Sequence, residues 1–261
     1  MRKFWRVPAV FLTLFLLGNT GNTNLYDWQK PDYIEKAFVE ITLKDEYRAT
    51  DMHLRKWTSP IRYYIDFYGL KPYPLAINMI NAHMRQLTHI THHSIAQTHI
   101  KQEANLIIYL SKDRDYKTVI EKYTGNKVQD LSRESNCMGT FKQSQSHVII
   151  GATVVIPIDY AMSQGLLPSC IVEELTQVMG LPNDSDWVYP SVANDVSKVE
   201  LLSGLDYLFL KMLYSPQLKP GMNLIETKKV VKKLIREFQQ QGLIKRANMK
   251  VRQEGLYPLL Y

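Results

Sequence analysis

Apolar positions along this chain change period several times, and each change marks an element. Ile61-Arg-Tyr-Tyr-Ile-Asp-Phe-Tyr68 alternates and is rich in β-formers, which predicts a strand. From Leu75 to about Thr91 the apolar residues Ile77, Ile80, Met84 and Leu87 recur at helical spacing. Asn105 to Leu110 reads as a second strand, and Asp115 to Tyr123 as a short helix ended by Gly125. From Gly139 to Ile158 the pattern gives two more strands, separated by the polar Lys142-Gln-Ser-Gln-Ser146. The second of them, from His147, is long, β-branched and mostly apolar, as a buried strand is. Pro168 and Ser169 lead into a helix that Gly180 stops. Leu205 to Leu213 forms another, ended by Pro216 and the Pro220-Gly221 turn. Val230, Val231, Leu234, Ile235 and Phe238 predict an amphipathic terminal helix, and a short helix falls around Tyr33 to Phe38. There is no internal repeat and no Gly/Ser/Pro-rich linker, so the order implies a single α+β domain with a mixed sheet.

The ends qualify this picture. Arg2, Lys3 and Arg6 precede an apolar run from Val7 to Leu17, and small polar residues follow at Gly18-Asn-Thr-Gly21. That is the layout of a secretory signal peptide, since eleven apolar residues fall short of the roughly twenty a bilayer requires. The expected organisation is a signal peptide over 1–21, a mature leader over 22–50, the main domain over 51–225 and a basic helical tail over 226–261. The protein is then periplasmic or secreted, with no transmembrane span in the mature chain. Its two cysteines, Cys137 and Cys170, both lie in the exported part. An even count in an oxidising compartment, without a C-x-x-C spacing, favours a structural disulfide over a thiol pair.

Removing the three leader cations lowers the formal charge from +7 to about +4. Much of what remains sits in the last forty residues, at Lys228, Lys229, Lys232, Lys233, Arg236, Lys245, Arg246, Lys250 and Arg252. An exported protein without aromatic interleaving there is not expected to bind nucleic acid. The plain reading is a helix with its lysines in water, and the functional one is peripheral contact with anionic lipid or envelope polymer.

The candidate chemistry lies in Cys170-Ile-Val-Glu-Glu-Leu-Thr-Gln-Val-Met-Gly-Leu-Pro-Asn-Asp184. On a helical wheel Ile171, Val172, Leu175, Val178 and Met179 share a face that must pack on the sheet. Glu173 and Gln177, four apart, stack on the opposite face with Glu174 beside them. Periodicity alone predicts that this polar face is solvated. The spacing is also similar to the zincin pattern H-E-x-x-H-x-x-G-x-x-H/D, in which two histidines hold zinc and the intervening Glu is the general base. In that frame Glu173 stands at the first ligand position, Glu174 at the base and Gln177 at the second ligand. Gly180 falls on the turn glycine, and Asn183 or Asp184 on the third ligand. Gln177 and Asn183 offer only neutral amide oxygens, so no metal is expected, a hard divalent cation being the alternative to zinc. Without a metal Glu174 has no activated water to work on. Glu173 and Glu174 lie about a quarter-turn apart, unlike the opposed carboxylates of a glycosidase.

Trp57-Thr-Ser-Pro-Ile-Arg62, the two cysteines, Glu173-Glu-Leu-Thr-Gln-Val-Met-Gly-Leu-Pro-Asn-Asp184, Asp206-Tyr-Leu-Phe-Leu-Lys-Met-Leu-Tyr214 and Leu218-Lys-Pro-Gly-Met222 together resemble one family. It is the proteobacterial exported family catalogued as domain of unknown function 2927, and the likeness covers roughly residues 50 to 225. The resemblance implies a zincin-like, metalloprotease-like fold and brings no established activity. Elsewhere His89 and His93 are four apart, but Ile90 stands where a catalytic Glu would be, so a solvated helix end is expected there. His147 opens a strand, and no G-x-S-x-G marks a nucleophile.

Two functional classes follow. One is a non-catalytic envelope protein that binds a peptide, protein or polymer in the former cleft through Gln177, Asn183 and Asp184. The other is a peptidase-like hydrolase that works through an altered metal site or through Glu174 as base, with Glu173 beside it.

Overall fold

A computed structural model describes residues 26–45, 52–125, 136–194, 196–197 and 199–261. The apolar run read as a signal peptide lies outside the described residues. The strands are β1 (Lys56–Trp57), β2 (Ile61–Phe67), β3 (Ile95–Gln97), β4 (Leu106–Ser111), β5 (Met138–Gln143) and β6 (Val148–Pro157). They form one sheet in the order β1-β6-β4-β2-β3, with β5 also paired to β6. Every pairing along that order is parallel, and β5 runs antiparallel to β6. The sheet is therefore mixed, as expected, in a mixed α/β domain.

Alternation along the strands decides what each face meets. Ile65, Ile108 and Val154 are in register across three strands and point into the main core. Tyr109 and Val155, one residue on, point the other way. There they meet Tyr116, Val119 and Ile120 of helix α3 (Asp113–Thr124). The main core is closed by helices α1 (Pro31–Leu43), α2 (Pro74–Thr91), α4 (Ile158–Ser163), α5 (Leu167–Gln177), α6 (Gly204–Leu213), α7 (Leu224–Gln240) and α8 (Leu243–Val251). A last short helix, α9, spans Tyr257–Leu260. A parallel sheet covered on both faces explains why β4 and β6 read as nearly continuous apolar runs.

The core runs across both expected domain boundaries. Ile34, Ala37, Phe38 and Ile41 form a buried helical stripe on α1, and Phe38 packs edge-on against Phe209 of α6 with centroids 5.9 Å apart. At the other end Val231, Leu234, Ile235 and Phe238 of α7 are buried in the same cluster. Glu35 of α1 joins the two segments through Lys228 at 3.5 Å and Lys232 at 3.6 Å. The sequence around Tyr33 to Phe38 predicts only the middle of a helix that extends to Leu43, because Glu40 and Thr42 interrupt the apolar run without breaking the stripe.

Candidate functional site

Helix α5 starts at Leu167 with Pro168 in its first turn, where the missing proline N–H leaves no bond unmade. Cys170, one turn in, is joined to Cys137 at the head of β5, with their Cα atoms 5.8 Å apart. The disulfide expected from the cysteine count is thus present, and it staples α5 to the antiparallel strand. Ile171, Val172, Leu175, Val178 and Met179 are all buried, as the wheel requires.

The opposite face departs from expectation. Glu173 is half-buried, but Glu174 and Gln177 are each only 6% exposed, so the predicted solvated face is covered. Strand β5 lies against Glu174. A Cβ placed on Gly139 would lie 2.9 Å from Glu174 Oε2 and 3.0 Å from the Glu174 carbonyl oxygen. Only a glycine lets the strand come this close. Periodicity could not show this, because the covering element is distant in sequence.

Beyond Gln177 the chain reverses. The Gln177 carbonyl accepts from Gly180 N at 2.9 Å and from Leu181 N at 3.0 Å. Gly180 adopts φ +111°, and a Cβ there would be 2.3 Å from the Arg55 carbonyl oxygen, so glycine is required on both counts. Trp57 Nε1 donates to the Val178 carbonyl at 2.8 Å, and the Tyr214 hydroxyl donates to that of Met179 at 2.9 Å. These bonds satisfy carbonyls that the end of a helix leaves open.

The reversal brings Asp184, not Asn183, to the helix. Gln177 Nε2 donates to Asp184 Oδ1 at 2.7 Å. Asn183 instead turns its amide to the Asp184 carbonyl at 2.7 Å, and its own N–H bonds Ile41 of α1 at 3.3 Å. The frame's second and third ligand positions therefore meet, as the spacing suggests, but as an amide donating to a carboxylate. This donor set does not fit zinc, which takes imidazole, thiolate or carboxylate, because the Gln177 amide presents a hydrogen to its neighbour. Among the described residues no group of three or more His, Cys, Asp or Glu is placed to hold a metal ion.

Behind α5 lies a polar line that sequence reading missed. His83 of α2 is fully buried; its Nε2 lies 3.1 Å from Thr176 Oγ1 and its Nδ1 3.3 Å from Gln86 Oε1. Gln86 Nε2 donates to the carbonyls of Val251 at 2.8 Å and Glu254 at 3.2 Å, so its oxygen faces the imidazole. The Gln86 oxygen thus accepts from the imidazole, which also bonds the backbone of Val172. Burial pushes the His83 pKa down to about 4. A lone histidine in an apolar stripe carries no sequence signal for this role.

Asp206 has a comparable structural part. It is buried, takes the Ser191 hydroxyl at 2.6 Å and the N–H groups of Val192 at 3.2 Å and Ser203 at 2.7 Å, and closes a capping box with Ser203. Burial raises its pKa, and these donors oppose the rise. Asp206 thereby holds Ser191, Val192 and Ser203 against α6. Lys56, also buried, donates to the carbonyls of Leu213 and Leu218 at 2.9 Å each, and burial lowers its pKa to about 8.

The two histidines four apart, His89 and His93, do not come together. His89 pairs with Glu254 at 2.6 Å, whereas His93 Nε2 bonds the Ser59 carbonyl at 2.9 Å, so these two do not share a ligand. His147 stacks on His53, with ring centroids 4.6 Å apart.

These features define a mixed α/β domain with one sheet, in which a disulfide-anchored helix carries two neighbouring carboxylates under an antiparallel strand. The chain belongs to the family described as protein of unknown function (DUF2927), whose model matches residues 31–233. That span takes in α1, which lies ahead of the segment carrying the motifs. No curated protein and no solved structure matches the chain.

Proposed function

We propose that this is an exported envelope protein with a degenerate, zincin-like fold, in which the former cleft binds a peptide, protein or polymer and does not cleave it. The observation that carries the reading is the 2.7 Å bond from Gln177 Nε2 to Asp184 Oδ1. It ties together the two positions that a metallopeptidase would give to metal ligands, and each satisfies the other without a cation. The mixed sheet, with its antiparallel strand laid against an E-E-x-x-Q helix, supports the fold part of the proposal. The disulfide and the absence, among the described residues, of a helix able to cross a membrane are consistent with export.

Metal analysis of the purified protein tests this reading. Wild-type protein is expected to carry no stoichiometric zinc and to leave general protease substrates intact. The double variant Glu173→His, Gln177→His should gain binding of roughly one zinc per chain, because it restores two imidazoles a turn apart beside Asp184. Tightly held zinc in the wild type, or a chelator-sensitive peptidase activity lost in Glu174→Gln, would overturn the proposal in favour of a hydrolase.

A further inference from the structure

The charge of this protein is concentrated in one place. From Leu224 to Arg252 nine Lys and Arg residues stand against Glu226 and Glu237, a surplus equal to the +7 of the whole chain, so all other residues together are neutral. The apolar sides of α7 and α8 are already used in the core, through Val231, Leu234, Ile235 and Phe238, and through Leu243, Ile244, Ala247 and Val251. The basic residues consequently occupy the exposed faces. Glu35 takes Lys228 and Lys232, and Glu237 takes Lys233 at 3.7 Å. Lys229, Arg236, Lys245, Arg246, Lys250 and Arg252 have no carboxylate partner among the described residues. A helix that only faces water needs polar side chains, not one sign of charge.

Apolar groups are exposed beside these cations. Met249, 53% exposed, lies within a turn of Lys245, Arg246 and Lys250 on α8. Past α8 the chain presents Leu259, Leu260 and Tyr261, at 55%, 41% and 92% exposure. The Arg252 guanidinium sits 5.8 Å from the Tyr257 ring centre, which joins this tip to the end of the basic helix. Between the tip and residues 199–201 opens a cavity of about 730 Å³ with Arg252 on its wall.

We propose that the α8–α9 surface docks on an anionic phospholipid bilayer. Lys245, Arg246, Lys250 and Arg252 meet the phosphate groups, and Met249, Leu259, Leu260 and Tyr261 enter the interfacial layer. Cations flanked by exposed Leu, Met and Tyr match a surface with anionic headgroups above hydrocarbon, whereas a soluble acidic polymer has no use for the apolar tip. Since the apolar faces of α7 and α8 stay in the core, attachment is peripheral and reversible by salt.

Co-sedimentation of the purified chain with phosphatidylcholine vesicles, with and without phosphatidylglycerol, tests the proposal. Binding is expected only when phosphatidylglycerol is present, and raised salt should release it. The triple variant Lys245→Glu, Arg246→Glu, Lys250→Glu, changed only at exposed positions, should weaken partitioning at least about a hundredfold. Leu259→Ser with Leu260→Ser should weaken it while preserving the salt dependence. Equal partitioning onto both vesicle types, or a triple variant that binds like the wild type, would refute the proposal. So would a protein that ignores phosphatidylglycerol vesicles yet is retained on immobilised polyglutamate, which would make a soluble polyanion the partner. Circular dichroism of each variant separates loss of binding from loss of fold.

Discussion

Gly139 and Gly180 hold the candidate site together because each sits where a Cβ has no room. At Gly139 the obstacle is the Glu174 carboxylate, which can rotate, together with its carbonyl oxygen, which cannot. Gly139→Ala should therefore destabilise the protein by about 1–3 kcal/mol, read as a lowered urea midpoint. Val178 Cγ1, 3.2 Å from the same Cβ, must also give way. His83 supplies a pH dependence. Its pKa in the fold, about 4, lies below the 6.5 of an exposed imidazole, so on acidification the unfolded chain takes up the proton first. The stability this provides is complete above pH 6.5 and is lost as the pH falls towards 4, by on the order of 3 kcal/mol. Urea midpoints measured across that window should fall more steeply for wild type than for His83→Gln. Parallel slopes would show that the imidazole is not the titrating group.

At the scale of elements, the disulfide sets the pairing of β5 with α5. The bridge closes a loop of sequence separation 33. In the chain-entropy model its loss costs about 3–4 kcal/mol. Non-reducing mass spectrometry should find one internal bridge, and reduction or Cys137→Ser with Cys170→Ser should lower the urea midpoint accordingly. Alkylation of both thiols without prior reduction would contradict the bridge. The Asp206 capping box works at the same scale, with one carboxylate starting α6 and holding Ser191 and Val192 to it. Asp206→Ala strands the Ser191 hydroxyl and two N–H groups in a buried place and should cost about 2–4 kcal/mol.

The whole molecule depends on both ends of its described length. Helix α7 packs against α1 and contributes buried residues to the main core, so it is no appendage. A chain stopped at Asn223 loses Val231, Leu234, Ile235 and Phe238 from that core. It should fail to give the cooperative unfolding of the full chain, as followed by circular dichroism; an intact transition would mean that the domain ends before α7. The line Thr176–His83–Gln86 ends on the Val251 and Glu254 carbonyls, so the back of the site helix is tied to the same C-terminal segment.

By itself the sequence determined most of the longer elements and the chemistry available to them, but not the short strands β1 and β3 or the helices α4, α8 and α9. Alternation in Ile61–Tyr68, the helical stripe from Ile77 to Leu87 and the glycine stops at Gly125 and Gly180 are local signals, and local signals survive without a fold. The cysteine count was enough to pair Cys137 with Cys170, since two thiols admit a single bridge. Tertiary structure alone decided that every strand but β5 runs parallel to its neighbours, that α1 and α7 share one core, and that Glu174 is covered by a strand that Gly139 lets in close. It also chose Asp184 over its neighbour Asn183 as the partner of Gln177. The physical reason is the same in each case. Periodicity records which side of an element avoids water, but which other element excludes that water depends on contacts between residues far apart in the chain.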